Sequence, residues 1–395
     1  MSIPLTSCAP PAASLFHRKL NIPATHFMTQ IPDLKKNQYS CHTRSQLTVT
    51  AAKRKVSIDG VSEELNLIAS QSLDFAPARR RVRSAFVEVH QNLDHCLFKF
   101  APEGIRTEEW YEISSRGVEI FCKSWKPKQG VPIKGAVFFC HGYGDTCTFF
   151  FEGIARRIAA SGYGVYALDY PGFGLSGGLH GYIPSFDGLV DVVVEQYQKI
   201  KAKPELRGLP HFVFGQSMGG AVTLKVHLKE PENWDGVILV APMCRVAEEV
   251  LPPAAVLKGL TILSKVTPKA KLLPERDLAE LGFRDPRKRK LAAYNAICYS
   301  DRMRLITAVE LLKATKDIEM QAHKVSSPLL IVHGAADKIT DPSVSQFLYE
   351  KASNKDKTLK LYEGGYHSIL EGEPDHRIFT IIDDIVSWLD SRCSI

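Results

Sequence analysis

The stretch His211–Gly220, which reads HFVFGQSMGG, constrains the fold more than any other part of the chain. Strand-favouring residues lead directly into a Gly-x-Ser-x-Gly motif, and a helical pattern begins at Ala221. A strand that enters a helix without a loop must turn a sharp corner, which predicts a strained backbone at Ser217. Side chains at positions 215 and 219 would collide as strand and helix approach, so both positions need glycine.

This corner predicts a nucleophile elbow, a turn that exposes a serine hydroxyl above the edge of a sheet. The backbone N–H of Met218 would lie beside the Ser217 hydroxyl, at the N-terminus of the following helix. The five-residue motif is short enough to occur by chance in many chains. The interpretation therefore requires an acid, a base and a second N–H donor elsewhere in the sequence.

Strand and helix patterns alternate along most of the chain from Cys140 onward, which predicts a parallel sheet with helices on both faces. We expect an α/β fold with a mostly parallel, eight-stranded sheet built from residues 101–241 and 301–395. The alternation stops over residues 242–300, and we interpret this segment as a helical lid after the sixth strand. Its apolar helices would line an acyl pocket or contact a membrane surface. A packed insert without ligand contacts is the alternative.

The N-terminal residues 1–55 are rich in Ser and Thr, carry eight Lys and Arg, and contain one acid, Asp33. This composition is typical of an organelle transit peptide. Ser and Pro enrichment favours the plastid, with a mitochondrial address or a cytoplasmic protein with a plain tail as alternatives. Residues 56–100 have helical spacing and predict an N-terminal extension of two helices. Pro77 would open the second helix, in which Val82, Phe86, Val89 and Leu93 recur at three- and four-residue spacing, and Arg79–Arg83 would form a solvated charged face.

The net charge of +7 does not indicate nucleic-acid binding. All of it belongs to residues 1–55, because the remaining chain has 42 basic and 42 acidic residues. The nine cysteines are scattered and form no C-x-x-C pair, so neither a zinc site nor a disulfide framework is indicated. We expect no metal and no organic cofactor, since a serine mechanism needs neither.

The acid and the base should follow the serine in the order Ser, Asp or Glu, His. Asp337 comes just after the strand at 329–332, where ligands collect in parallel sheets. Its competitor Asp341 precedes Pro342 and is better placed to cap a helix. His367 follows the last strand and two glycines, and it is the predicted base. His376 lies next to the closing helix, and His333 is expected to have a structural role.

The second oxyanion donor should come from the loop after the third strand, HGYGD at 141–145. Its glycines allow the backbone to turn toward the oxyanion, and the N–H of Tyr143 is the preferred donor, together with that of Met218. His141 belongs to this loop and precedes the elbow, so we expect a structural role for it.

Four motifs carry a specific resemblance: HGYGD at 141–145, GQSMGG at 215–220, the turn at 333–337, and Tyr366-His367. With them, the sequence over roughly residues 75–392 resembles the monoacylglycerol lipase branch of the α/β-hydrolases, especially its plant members, which include caffeoylshikimate esterase. The resemblance implies Ser217 as nucleophile, Asp337 as acid and His367 as base. It also implies Tyr143 and Met218 as oxyanion donors.

The expected function is hydrolysis of a small-molecule acyl ester, monoacylglycerol or a lysophospholipid, through an acyl-enzyme. An esterase for phenolic esters such as caffeoyl esters is the first alternative. A ligand-binding receptor with an idle triad is another, and an aminopeptidase would need an acidic pocket for the substrate's amino terminus. The sequence does not give the acyl chain length or the oligomeric state.

Overall fold

The sheet has eight strands in the order β1-β2-β4-β3-β5-β6-β7-β8. The computed structural model describes residues 57–246, 253–274 and 277–393. The strands are β1 (Arg106–Ile113), β2 (Glu119–Lys126), β3 (Gly135–Cys140), β4 (Tyr163–Leu168), β5 (His211–Gln216), β6 (Gly236–Val240), β7 (Leu329–Gly334) and β8 (Lys357–Tyr362). Strand β2 is antiparallel to both of its neighbours, and β3 to β8 are parallel. The expected mostly parallel α/β sheet is confirmed.

The helices follow the strands in the expected alternation from β3 onward. They are α1 (Glu63–Ala69), α2 (Ala76–Ala85), α3 (Val87–Gln91), α4 (Cys96–Lys99), α5 (Phe150–Ala160), α6 (Phe186–Lys201), α7 (Met218–Lys229), α8 (Ala254–Val266), α9 (Leu278–Gly282), α10 (Pro286–Ala292), α11 (Leu305–Gln321), α12 (Pro342–Lys351) and α13 (Asp375–Asp390). None of the helices in the described part of the chain is long and apolar enough to cross a membrane.

The central strands β3, β4, β6 and β7 are buried along their whole length. Strands covered on both faces read as continuous apolar runs, as Val237–Val240 does in the sequence. Two apolar clusters lie on the two faces of the sheet, because alternate side chains of one strand point in opposite directions. Phe139 and Phe138 of β3 accordingly belong to different clusters.

The N-terminal extension contains four short helices, where the periodicity suggested two. Pro77 lies in the first turn of α2, as expected, but α2 ends before Phe86. The backbone of Phe86 leaves the helical conformation, and its side chain is fully buried in the core. Packing of this ring therefore overrides the helical spacing that continues through Val89. The transit-peptide segment, residues 1–55, lies outside the described residues.

The expected solvated face at Arg79–Arg83 is wrong for Arg79, which is fully buried. Its guanidinium donates to the carbonyls of Gly174 and Ser176, both at 2.6 Å, and to that of Leu73 at 2.9 Å. A planar group with five donors can satisfy several carbonyls at once, which makes its burial possible. Arg79 thus ties the extension to the glycine-rich loop after β4, while Arg81 remains exposed as expected.

The described part of the expected lid, residues 242–300, contains α8, α9 and α10, and residues 247–252 and 275–276 lie outside the described residues. The Tyr299 N–H donates to the carbonyl of Gly144 in the loop after β3. The Ser368 N–H, in the loop after β8, donates to the carbonyl of Gly282. This segment therefore packs on loops at the carboxyl ends of the parallel strands, where a ligand site is expected; its role as a lid stays a prediction.

Candidate active site

The corner between β5 and α7 has the strained geometry that the motif predicts. Ser217 has φ 56° and ψ −122°, outside the ordinary range for a residue with a side chain. A Cβ at Gly219 would lie 1.9 Å from the carbonyl oxygen of Cys140, and one at Gly215 would lie 2.2 Å from that of Gly219. Only glycine fits at these two positions, so the close approach of strand and helix holds Ser217 at the apex.

The structure brings the three predicted side chains into one hydrogen-bonded chain. The Ser217 Oγ lies 2.9 Å from Nε2 of His367, and Nδ1 of His367 lies 2.6 Å from Oδ2 of Asp337. A carboxylate accepts hydrogen bonds only, so Nδ1 carries the proton and Nε2 is free to accept the proton of Ser217. This tautomer is the one that a general base for serine requires.

The carboxylate of Asp337 is saturated with donors. Its Oδ1 accepts the N–H groups of Ile339 and Thr340 at 2.7 and 3.1 Å. Its Oδ2 accepts from Thr340 Oγ1 at 2.8 Å and from Nε2 of His333 at 3.0 Å, in addition to His367. Burial alone would raise the pKa of Asp337, but the hydrogen bonds from His333 and His367 outweigh it and hold that pKa well below its usual value.

The competing residues have the places that the sequence suggested for them. Asp341 caps α12 by accepting the N–H of Ser343, and His376 is exposed on α13. His141 is buried, stacks on Tyr170 with ring centroids 3.9 Å apart, and accepts the N–H of Tyr170. His333 differs from the expectation of a purely structural residue, because it contacts the carboxylate of Asp337.

The loop with Tyr143 lies against the serine. A Cβ at Gly142 would be 3.5 Å from the Cβ of Ser217, so the backbone passes directly beside the nucleophile. The ring of Tyr143 packs edge-on against Phe173 and Tyr299, which fixes the loop from its outer side. Met218 is the first residue of α7, where N–H groups have no partner within the helix.

The loop that carries His367 is held by the lid and by the N-terminal extension together. From the lid, Nζ of Lys288 donates to the carbonyl of Glu373 at 2.6 Å, and the Asp285 N–H donates to that of Gly372. From the extension, the ring of His95 bonds to the carbonyl of Glu371 at 2.9 Å. Asp285 and Lys288 of the 242–300 segment therefore contact the loop that carries His367.

A buried acidic cluster lies behind the nucleophile, and the sequence reasoning missed it. Nε2 of Gln216, the residue before Ser217, donates to both carboxyl oxygens of Glu371, at 2.9 and 3.2 Å. Asn295 of the lid contacts Asp145 at 3.1 Å, and Asp145 acts electrostatically on Glu371. The sequence signal was an acid four residues after the predicted base, but its partner is 155 positions away.

Burial raises the pKa of Glu371 to about 8, and the charge of Asp145 adds to this effect. Burial also raises the pKa of Asp145 to about 6. Glu371 is therefore largely protonated at neutral pH, because the desolvated charged form is unfavourable.

Comparison with known proteins places this site in a family. The sequence model of the family described as Hydrolase_4, serine aminopeptidase, S33, matches residues 131–375. Caffeoylshikimate esterase of Arabidopsis thaliana is 34% identical over 294 residues, which cover 74% of this chain and 88% of that protein. Monoglyceride lipase of Homo sapiens is 29% identical over 283 residues, which cover 71% of this chain and 89% of that protein.

Among solved structures, a soluble variant of monoglyceride lipase from Saccharomyces cerevisiae in complex with a substrate analogue has the same fold. Its TM-score is 0.65 at 21% identity, and the match covers 73% of this chain and 96% of that one. The fold and these relatives together define a carboxylic ester hydrolase of the α/β-hydrolase fold. The chain belongs to the Hydrolase_4 family, and its resemblance to the monoacylglycerol lipase branch is confirmed.

The raised pKa of Glu371 predicts a pH-dependent stability. Glu371 binds its proton more tightly in the folded state than in the unfolded state. The stabilisation of the fold that results is complete below about pH 4.5 and is lost as the pH rises through about 8. Glu371→Gln replaces the neutral carboxyl with a neutral amide and removes this dependence. We expect the melting temperature of the variant to exceed that of the wild type by about 2–5 °C at pH 8, with a smaller difference at pH 5.

The matched control is Glu103→Gln, which changes an exposed carboxyl in the same way. Its difference from the wild type should be small and nearly constant with pH. Thermal melting from pH 5 to 9 measures all three proteins, and parallel curves for Glu371→Gln and the wild type would contradict the assignment of a protonated Glu371.

Proposed function

We propose that the protein hydrolyses an acyl ester by nucleophilic attack of Ser217, with monoacylglycerol or a lysophospholipid as the preferred substrate. The hydrogen-bonded chain Ser217–His367–Asp337 at a strained corner is the observation that carries the proposal. The relatives named monoglyceride lipase support the substrate class. The caffeoylshikimate esterase relative supports a phenolic ester as the second candidate.

The proposed reaction has two halves that use the same groups. His367 Nε2 accepts the proton of Ser217 as Oγ attacks the ester carbonyl, and the ionised Asp337 stabilises the resulting imidazolium. The N–H groups of Tyr143 and Met218 stabilise the oxyanion. His367 then protonates the leaving alcohol, which departs and leaves an acyl group on Ser217. A water molecule, deprotonated by His367, attacks the acyl carbonyl. The bond to Ser217 Oγ then breaks, Oγ takes the proton back from His367, and the acid is released.

Ser217→Ala tests the nucleophile. The variant lacks the attacking oxygen, so kcat for ester hydrolysis should fall by at least about 10³-fold, while the melting temperature changes little. Labelling by a fluorophosphonate probe should be lost in the same variant. Retention of more than about a tenth of the wild-type activity would exclude this role for Ser217.

A substrate panel separates the candidate functions. It compares kcat/KM for a long-chain monoacylglycerol, a lysophosphatidylcholine, a caffeoyl ester and an amino-acid p-nitroanilide. The proposal expects one of the two lipids to be the best substrate. A higher value for the caffeoyl ester would identify a phenolic esterase, and one for the anilide an aminopeptidase. A serine that is labelled without turnover of any ester would identify a ligand-binding receptor.

We also propose that helix α8 contacts a membrane surface during lipid hydrolysis. Its exposed apolar residues include Val256, Ile262 and Val266. Residues 253–274 contain four lysines and no acid, a composition that suits a surface with anionic lipid. An exposed apolar and cationic helix would bring the protein to the surface that holds lipid substrates.

Val266→Glu tests this contact. The valine is 74% exposed, and a charge there should weaken binding to vesicles with anionic lipid by about tenfold, because it removes apolar burial and repels the surface. Hydrolysis of a short, soluble ester should be unchanged. Ile113→Glu is the matched control, since Ile113 is 61% exposed on the edge strand β1. Equal vesicle binding by both variants would argue against a role for α8.

We further propose that residues 1–55 direct the protein to the plastid. The basic, Ser-rich and nearly acid-free composition supports this address. A fluorescent protein fused behind residues 1–60 should accumulate in plastids of plant cells. A fusion that stays cytosolic or enters mitochondria would contradict the proposal.

A further inference from the structure

A second histidine contacts the carboxylate that orients the proposed base. His333 is fully buried in β7, four residues before Asp337. Its Nε2 lies 3.0 Å from Oδ2 of Asp337, the same oxygen that Nδ1 of His367 contacts at 2.6 Å. The carboxylate thus lies between two imidazoles, one on the side of the serine and one on the side of the core.

The contacts of His333 place a proton on Nε2. Nε2 also lies 2.9 Å from the carbonyl oxygen of Thr340, and neither a carbonyl nor a carboxylate oxygen can donate, so Nε2 carries a proton. Nδ1 lies 2.7 Å from Oγ of the buried Ser345 on α12. His333 is therefore an N–H donor toward Oδ2, held in one orientation from both ends.

The two oxygens of Asp337 are held by different parts of the structure. The turn after β7 fixes Oδ1 through two backbone N–H groups, whereas side chains of His333, Thr340 and His367 fix Oδ2. Thr340 Oγ1 also lies 3.1 Å from the carbonyl of Ala241 in the loop after β6, so its hydroxyl has a competing acceptor. The N–H of His333 is shared in the same way, between Oδ2 and the carbonyl of Thr340, so His333 and Thr340 are the two side-chain donors that hold Oδ2 besides His367.

We infer that His333 is a positioning residue for acyl transfer, one that directs Oδ2 of Asp337 toward His367 and withdraws part of its charge. The inference rests on the proposed function, since it assigns His367 as the base. His333 does not touch the substrate, because it lies behind Asp337 in the core. Ser345 extends the same arrangement by one step, as it holds the ring of His333 at Nδ1.

Loss of the His333 donor has two expected effects. Oδ2 is less well directed, so proton transfer to His367 becomes slower. The charge that the N–H had neutralised remains on Asp337 and favours the imidazolium form of His367, so the acid limb of the pH profile moves upward. Two titratable groups bond to Asp337, and these are His333 from β7 and His367 from the loop after β8.

The decisive variants are His333→Asn and His333→Gln. The amide nitrogen of asparagine cannot reach Oδ2, whereas that of glutamine occupies roughly the place of Nε2. We expect His333→Asn to lower kcat for a p-nitrophenyl ester by about tenfold with KM unchanged, and to move the acid limb of kcat/KM upward by about 0.5–1 pH unit. His333→Gln should remain within about threefold of the wild type.

Two further variants separate positioning from stability. Ser345→Ala keeps the imidazole but releases its Nδ1, and it should give a smaller shift in the same direction. His227→Asn is the matched control, since His227 is also fully buried and bonds to Ser326 and Ser327, away from Asp337. It should lower the melting temperature without moving the pH profile.

The inference is overturned if His333→Asn has the wild-type acid limb, or loses no more kcat than His227→Asn at matched melting temperature. Should His333→Asn not fold, an unchanged limb in Ser345→Ala overturns it instead. A failure of the proposed function has a different signature, which is ester hydrolysis that survives Ser217→Ala or is absent from the wild type. The pH dependence of fluorophosphonate labelling of Ser217 then provides the same comparison of variants without ester turnover.

Discussion

The close approach of α7 to β3 and β5 is the constraint on which the rest of the site depends. There is no room for a side chain at Gly219 against the carbonyl of Cys140, and Ser217 keeps a positive φ as a result. Such strain, on the order of 1–3 kcal/mol, persists only where the surroundings determine the backbone. The fully buried strands β3, β4, β6 and β7 provide those surroundings. The loops after β7 and β8 then place Asp337 and His367 in one hydrogen-bonded chain with Ser217.

The sequence predicts those features of the fold and of the site that depend on residues close together in the chain. The strand predicted at 329–332 forms β7 (Leu329–Gly334), and the helix predicted from Ala221 begins at Met218, because alternation and apolar runs are local patterns. Asp337 and His367 were located from their positions just after strands, and they lie in contact although they are 30 residues apart. Chain order and strand ends are enough to bring side chains together when a parallel sheet fixes where each strand ends.

The features that escaped prediction depend on partners distant in the chain. Arg79 reads as one member of a charged run, and its burial follows from carbonyl groups about a hundred positions later. Glu371 reads as an ordinary loop acid, yet it bonds to the neighbour of the nucleophile. The two buried carboxyls of the site also differ in charge for reasons that composition cannot show. Donors hold the pKa of Asp337 below its usual value, whereas burial and the charge of Asp145 raise the pKa of Glu371.

The contacts of the lid with the loop of His367 have a consequence for how enzymes of this architecture diverge. Gly282, Asp285 and Lys288 bind the main chain of residues 368–373, so part of the 242–300 segment supports the loop that carries His367. An exchange of this segment for that of a relative would therefore change the support of His367. Any substitution selected for in residues 242–300 of such a chain has to preserve these three main-chain contacts.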